Sequence, residues 1–236
     1  MRKEIKSLSF ENLSIGSGES MILKECSFDF PLHSKTRIVF HSDKEKFMFF
    51  QALTQVEGIE EGKYLINGED VSQFSFEEFL PYRLNIGFGF AAKGLIHNRT
   101  LRQNLELPLG FHKVMGPGQA REWVNYLCEY FGIQDEIENR PADAPLGVQK
   151  VTLILRAFVS KPELIILDSP GVLLSKKLHA NLLQLIEDQM KNHGLKHLLF
   201  STNDEGLSDC IADKNIILNK QKLKLVTPFS DQKVAS

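Results

Sequence analysis

The stretch Leu164-Ile165-Ile166-Leu167-Asp168-Ser169-Pro170 constrains this chain more than any other. A short, continuous apolar run reads as a strand buried on both faces, and such strands belong to mostly parallel sheets covered on both sides. The run ends in Asp168, so a core strand delivers a carboxylate to its own C-terminal end. The next residue is Ser169, and a neutral hydroxyl cannot do a carboxylate's general-base work. Either this is an ordinary core strand, or it is a catalytic strand without its base.

The bulk numbers narrow the field. At 236 residues the chain can bury a sizeable core, as one large domain or a core with a helical insert. A formal net charge of −2, with 42% hydrophobic and 25% charged residues, gives no electrostatic case for nucleic acid. No apolar run approaches the roughly 18–20 residues that span a bilayer. The start MRKEIKSLSF lacks the apolar segment of a signal peptide, so a cytoplasmic location is expected. Cys26, Cys128 and Cys210 form no CxxC, so neither a disulfide framework nor a metal site is expected. His193 and His197, with Gly194 between them, read as surface histidines.

Along the chain, residues 8–13 and 26–30 read as strands around the turn Gly16-Ser17-Gly18. Residues 36–40 read as a buried strand running into a charged loop, 41–45, and then a helix over 47–56. A strand at 61–66 leads to the Asn67-Gly68 turn. Another strand follows at 86–90. Helical periodicity covers 100–105 and 119–131, with Gly110 and Gly116-Pro117-Gly118 as breakers. A helix starting at Asp143-Ala144-Pro145 runs to 158. After the 164–167 strand come a helix over 176–192, a strand over 197–201, and a closing pair at 214–218 and 222–226; the tail 230–236 is expected to be loose. Strands alternating with helices predict an α/β fold with a mostly parallel central sheet, an antiparallel β layer and a helical insert over about 92–145.

This order resembles the ATPase subunit of ABC transporters over residues 6–228. ENLS at 11–14 with Leu23 to Phe28 is similar to the family's first hairpin, and EGKYLINGEDV at 61–71 to the segment that follows its first helix. Arg156-Ala157, Lys161-Pro162-Glu163-Leu164 and Leu167-Asp168 resemble its stretch from signature helix to Walker B, and Ile211-Ala212-Asp213-Lys214 its late Ala-Asp-Arg. The resemblance implies a P-loop NTPase-like ABC ATPase fold, residues 1–236 being one nucleotide-binding domain with the helical subdomain inserted in a RecA-like core. Within 94–112, Gly94-Leu95-Ile96-His97-Asn98-Arg99-Thr100 and Gln103 to Leu109, then Phe111-His112, resemble the MlaF-type ATPases of Mla/Mce lipid-transport systems. LolD- and FtsE-like subunits share parts of that pattern. In that family the segment borders the groove for the permease, which points to Leu95, Ile96, Asn98 and Leu101 as docking residues.

The chemical positions depart from the family. A phosphate loop needs glycines for backbone N–H wrapping, Lys for charge and Ser/Thr for Mg²⁺. The loop here is His41-Ser42-Asp43-Lys44-Glu45-Lys46-Phe47. Lys46 alone is in place; Asp43 and Glu45 replace glycines and Phe47 replaces the hydroxyl. One carboxylate about 4 Å from a phosphate oxygen costs about 4 kcal/mol at an effective dielectric near 20, roughly three decades in Kd. The resemblance leaves Ser42, Lys44, Lys46 and Asp168 as residual nucleotide-binding positions, with Lys46 equally readable as a surface lysine. Ser17 stands at the adenine-stacking aromatic, Ala91 at the Q-loop glutamine, and Ala144-Pro145-Leu146-Gly147-Val148 at the signature LSGGQ, where only Gly147 survives. Ser169 and Asn203 stand at the catalytic Glu and switch His.

The pattern of kept fold positions and altered ligand positions implies a degenerate ATP-binding-cassette subunit. It would be docked on a multi-pass permease at the cytoplasmic face of the inner membrane, paired with a second ABC subunit in a homo- or heterodimer. ATP with Mg²⁺ is the only cofactor the resemblance brings in, and these positions argue against it; no metal site is otherwise expected. Three other readings stay open. They are a nucleotide-binding switch that does not hydrolyse, a weakly active ATPase using Glu45, Asp204 or Glu205 as a displaced base, and an interaction module unconnected to transport.

Overall fold

The computed structural model describes residues 2–54, 58–89 and 94–226. Its strands are β1 (Leu8–Ile15), β2 (Leu23–Asp29), β3 (Lys35–Val39), β4 (Ile59–Ile66), β5 (Glu69–Asp70), β6 (Ile86–Gly89), β7 (Leu164–Asp168), β8 (His197–Ser201), β9 (Lys214–Asn219) and β10 (Lys222–Val226). Its α-helices are α1 (Asp43–Leu53), α2 (Phe76–Arg83), α3 (Leu101–Phe111), α4 (Pro117–Phe131), α5 (Leu146–Phe158), α6 (Lys176–Asn192) and α7 (Glu205–Ile211).

Two sheets result. The six-stranded sheet has the order β10-β9-β3-β8-β7-β6 and is parallel apart from the β9–β10 hairpin. The four-stranded sheet, β2-β1-β4-β5, is antiparallel. The expected α/β class, with a mostly parallel sheet and an antiparallel layer, is what the chain adopts.

Strand alternation divides the core. Along β7, Leu164 and Ile166 pack toward the antiparallel sheet with Ile38, Phe49 and Tyr64, while Ile165 and Leu167 pack toward α4, α5 and α6 with Leu127, Ile154 and Leu185. β8 does the same, with Leu199 on one side and Leu198 and Phe200 on the other. Each such side chain contributes about 1.5–3 kcal/mol of burial, so β7 and β8 hold both layers in register. The helical stretch shares a core with the sheet, since Leu105, Leu109 and Trp123 belong to the same cluster as Ile165 and Leu198.

Several expectations need correction. The charged segment 41–45 is not a loop: α1 begins at Asp43, with Ser42 as its N-cap accepting the Glu45 N–H. A Ser followed three residues later by Glu is a helix-start signature. α2 was not expected, although Ser75 and Glu78 form a complete capping box. α7 was also unexpected; it starts on Asp204, whose carboxylate accepts the Leu207 N–H at 2.9 Å. Gly110 lies in the last turn of α3, which ends at Phe111, and Pro145 is the N-cap of α5, so that helix begins at Leu146 rather than at Asp143. The loose tail expected at 230–236 lies outside the described residues.

His197 is not a surface residue. It is 1% exposed at the start of β8, where its Nδ1 accepts the His33 N–H at 2.7 Å and its Nε2 lies 3.1 Å from the Ile5 carbonyl. Burial pushes its pKa down to about 4, so the ring is neutral and joins three segments of the chain. His193 is half-buried beside Asp188, at 3.3 Å.

Candidate functional site

The site forms where the C-terminal ends of β3, β7 and β8 meet. β8 lies between the other two, and Asp168 of β7 pairs in register with Ser201 of β8. The chain leaves β3 through His41 and Ser42 and enters α1, whose first turn carries Lys46 across the end of β8. The Lys46 ammonium reaches Asp168 Oδ1 at 2.9 Å and Asp43 Oδ1 at 2.8 Å, and donates to Ser169 Oγ at 3.1 Å. Ser169 Oγ donates to Asp168 Oδ1 at 2.9 Å, closing a three-residue ring.

Local backbone structure sets this up. Ser169 has φ of 46°, a left-handed conformation for a non-glycine residue, and is fixed by its N–H donating to the Ser201 carbonyl at 2.8 Å. That turn brings its hydroxyl back over Asp168. At the other side, Glu45 Oε2 accepts the His41 N–H at 2.8 Å, and Ser42 Oγ accepts the Glu45 N–H at 3.2 Å. The N-terminal donors of a helix are a ready anion site when open. Here one of them, the Glu45 N–H, is taken by the Ser42 hydroxyl.

Exposure separates the two ion pairs. The Lys46 and Asp168 side chains are 13% and 17% exposed, whereas Asp43 is 93% exposed. The inner pair is therefore the strong one, and the outer pair is a solvent-screened contact of small net worth. Burial opposes the Lys46 charge, but the hydrogen bonds to Asp43 and Asp168 outweigh it and raise its pKa. Lys46 in turn lowers the pKa of Asp43. A second cation approaches from below: Lys150 of α5 is 1% exposed, and its Nζ donates to the Asp168 carbonyl at 3.3 Å. Desolvation brings the Lys150 pKa down to about 8, against the attraction of Asp168.

Among the residues singled out from sequence, Ser42, Lys46, Asp168 and Ser169 come together. Lys44 does not join them; its ammonium donates to Ser20 Oγ at 2.8 Å. Asn203 is exposed two residues beyond the end of β8, at the same edge. Asp204 caps α7, its carboxylate accepting the Leu207 N–H, and Glu205 lies exposed in the first turn of that helix. Ala91 lies outside the described residues. Pro145 and Leu146 are exposed at the start of α5, and Gly147 packs against the Leu173 carbonyl.

Mg²⁺–ATP needs open N–H donors, an available lysine charge and a hydroxyl beside that lysine. Here the lysine charge is held by Asp43 and Asp168, and the residue after Lys46 is Phe47, 54% exposed and without a hydroxyl. Among the described residues no group of three or more His, Cys, Asp and Glu is placed to hold a metal ion.

The expected docking residues divide. Leu95 and Leu101 are buried against Ala144 and Leu153, so they cannot meet a partner; they fix the segment instead. Ile96 is half-buried and Asn98 exposed. Asn104, buried, accepts the Ile96 N–H at 2.7 Å and donates to the Ile96 and Thr100 carbonyls, holding the segment on α3.

A feature missed from sequence is a groove of about 970 Å³ lined by Arg2, His112, Trp123, Tyr126, Lys161 and His193, among others. It adjoins a smaller cavity of about 230 Å³ that includes Phe79, Arg83 and Pro108. Lys161 stacks over Trp123 at 4.1 Å, and Arg2 Nη2 is buried with no hydrogen-bond partner among the described residues. Exposed Phe76, Leu107 and Phe111 lie on α2 and α3, the helices that contribute Phe79, Arg83 and Pro108 to it. Residues 2 to 193 contribute, which no local motif could have signalled.

Comparison with known proteins places this geometry in context. The family model described as "ABC transporter" matches residues 23–172. The ABC transporter ATP-binding protein YtrE of Bacillus subtilis is 26% identical over 188 residues, 79% of this chain and 81% of that protein. The glutamine transport ATP-binding protein GlnQ of Bacillus subtilis is 24% identical over 216 residues, 92% of this chain and 88% of its own length. The methionine import ATP-binding protein MetN 3 of Pseudomonas fluorescens is 27% identical over 79% of this chain and 57% of the longer protein. A dimeric structure of the ATP-binding cassette MJ0796 in a post-hydrolysis state, bound to ADP and Pi, superposes with a TM-score of 0.83 at 21% identity, covering 95% of this chain and all of that one.

Proposed function

The chain belongs to the ABC transporter family of ATP-binding subunits, and we propose that it is a catalytically silent member, a structural or regulatory subunit docked on a membrane permease. The observation that carries this reading is the closed ring at Lys46. The lysine that should meet the β- and γ-phosphates is bound by Asp43 and Asp168, and the residue beside Asp168 is Ser169, which cannot polarise a water. The signature position adds to it, because Pro145 has no N–H and Leu146 stands 64% exposed where small donors would be required.

In this reading residues 1–236 are one nucleotide-binding domain with a helical subdomain over about 92–145. The permease contact is the groove beside α2, α3 and α4. Its occupant is a cytoplasmic helix of the permease with an apolar face and a carboxylate. The apolar face would meet Phe76, Leu107 and Phe111, and the carboxylate would meet Arg2 and Arg83. Burial and these two arginines lower the His112 pKa, leaving Arg2, Arg83 and Lys161 as the fixed positive charges. No described helix is long and apolar enough to cross a membrane, so the chain's membrane association would come through that partner at the cytoplasmic face. The relatives' names span glutamine and methionine, so they fix no cargo. Lipid transport of the Mla/Mce kind rests on the sequence pattern over 94–112, in which Thr100 and Asn104 also have folding roles.

The test is ATP turnover by the subunit co-purified with its permease. The reading expects turnover at background, unchanged by Asp168→Asn. Robust turnover that Asp168→Asn removes would sink it.

A further inference from the structure

We infer that the wide end of the groove, beside Trp123, is a binding site for a small organic anion, a carboxylate or phosphate ester with an apolar body. The inference goes beyond the catalytically silent reading and deepens the docking one, with which it shares Arg2. At about 970 Å³ this cavity has the size of pockets that take small molecules. Leu84, Val114 and Met115 give it an apolar side.

Local structure holds the wall in place. Trp123 is pinned by its Nε1–H donating to the Val159 carbonyl at 2.9 Å, and it stacks on Tyr126 with ring centroids 5.2 Å apart. After α5 the chain turns at Lys161, whose φ is 50° and whose N–H donates to the Phe158 carbonyl at 2.9 Å. That turn sets the Lys161 ammonium 4.1 Å from the Trp123 ring centroid, a contact that holds a cation without neutralising it. Arg2 reaches the same corner, Nη1 donating to the Lys161 carbonyl at 3.3 Å.

Charge selects the ligand. Arg2, Lys113 and Lys161 line the cavity against one carboxylate, Glu122, while the whole chain carries a net charge of −2. Positive charge is therefore concentrated at this wall, which draws anions. Tyr126 and His193 are committed to another group: the Tyr126 hydroxyl donates to Asp188 Oδ2 at 2.9 Å, and His193 Nε2 lies 3.3 Å from the same oxygen. Arg2 Nη2, buried with no partner among the described residues, is the donor still to be matched. An unmatched buried donor is costly. A carboxylate or phosphate head drawn between Arg2 and Lys161 satisfies it, in the forked geometry a guanidinium favours. The apolar body of the ligand then lies along Leu84, Val114 and Met115.

Trp123 is the chain's one tryptophan, so its fluorescence reports on this wall directly. The test titrates the full chain with phenylacetate and with phenyl phosphate, beside benzyl alcohol (body without charge) and inorganic phosphate (charge without body). The expected result is a saturable change with one or both organic anions, the tighter of the two naming the head group, and weaker binding of both controls. Arg2→Met should raise the dissociation constant at least about tenfold. It keeps the fold, since the Lys3 N–H still donates to the Pro81 carbonyl and the Lys3 side chain still pairs with Glu69. Glu122→Gln, which removes the wall's carboxylate, should lower it by about two- to fivefold. No saturable change, an equal affinity for either control, or binding that Arg2→Met leaves unmoved overturns the inference. The docking reading fails separately. With the permease bound the anion should bind more weakly, because both claim Arg2; unchanged affinity there overturns the permease's claim on Arg2 and leaves the pocket standing.

Discussion

Lys46→Met distinguishes a lysine kept for structure from one kept for phosphate. The substitution preserves side-chain length and removes the charge. It leaves the Asp168 carboxylate, 17% exposed, with the Ser169 hydroxyl as its remaining side-chain hydrogen bond in that ring. Breaking a fully buried pair costs about 3–5 kcal/mol. Residual solvent and the nearby Lys150 amine lower this to about 3 kcal/mol, and the loss of the exposed Asp43 contact adds little. For a chain of this size that lowers Tm by roughly 6–12 °C. Urea denaturation of the parent, Lys46→Met, Asp168→Asn and the double variant completes a cycle. The double variant should cost less than the two singles together by about 2 kcal/mol. A Lys46→Met protein within about 0.5 kcal/mol of the parent would refute the structural reading.

Two pH dependences follow from buried bases. Lys150 has its pKa lowered from 10.5 to about 8, so the unfolded chain binds more protons between those values and stability should rise with pH across that window, by about 3 kcal/mol at most. Lys150→Met should flatten the rise, which thermal melts from pH 7.5 to 10.5 would show. His197, lowered from 6.5 to about 4, acts at the acid end; stability is lost as pH falls from 6.5 toward 4, again by about 3 kcal/mol at most. His197→Leu removes that acid-limb slope but leaves the His33 N–H and the Ile5 carbonyl without their partner, costing about 2–4 kcal/mol at pH 7.5 in urea denaturation.

The frame of the fold was legible because its signals are local and periodic. The apolar run of β7 and the amphipathic stretch of α6 fell where the pattern put them, α6 to the residue. α2 and α7 were missed because they are short and their apolar periodicity is weak; capping carried the signal, in Ser75 with Glu78 and in Asp204. The same weak periodicity makes 41–45 read as a loop, hiding the cap of Ser42 on the Glu45 N–H and the bond from the His41 N–H to the Glu45 carboxylate. At the site, the family resemblance brought Lys46, Asp168 and Ser169 into one neighbourhood. It could not show that Ser169 folds back onto Asp168, since that depends on a left-handed turn at a serine. His197 and Leu101 were misplaced for a shared reason: burial is decided by what packs over a residue, here the N-terminal segment at Ile5 for one and Ala144 with Leu153 for the other.

Equilibrium binding of ATP to the subunit assembled with its permease, with and without Mg²⁺ and beside Lys46→Ala, tests the central claim most directly. The account predicts no binding at millimolar ATP in either protein, because Asp43 and Asp168 already hold the lysine charge. Saturable binding that Lys46→Ala abolishes would contradict it, and would make the protein a nucleotide-gated switch.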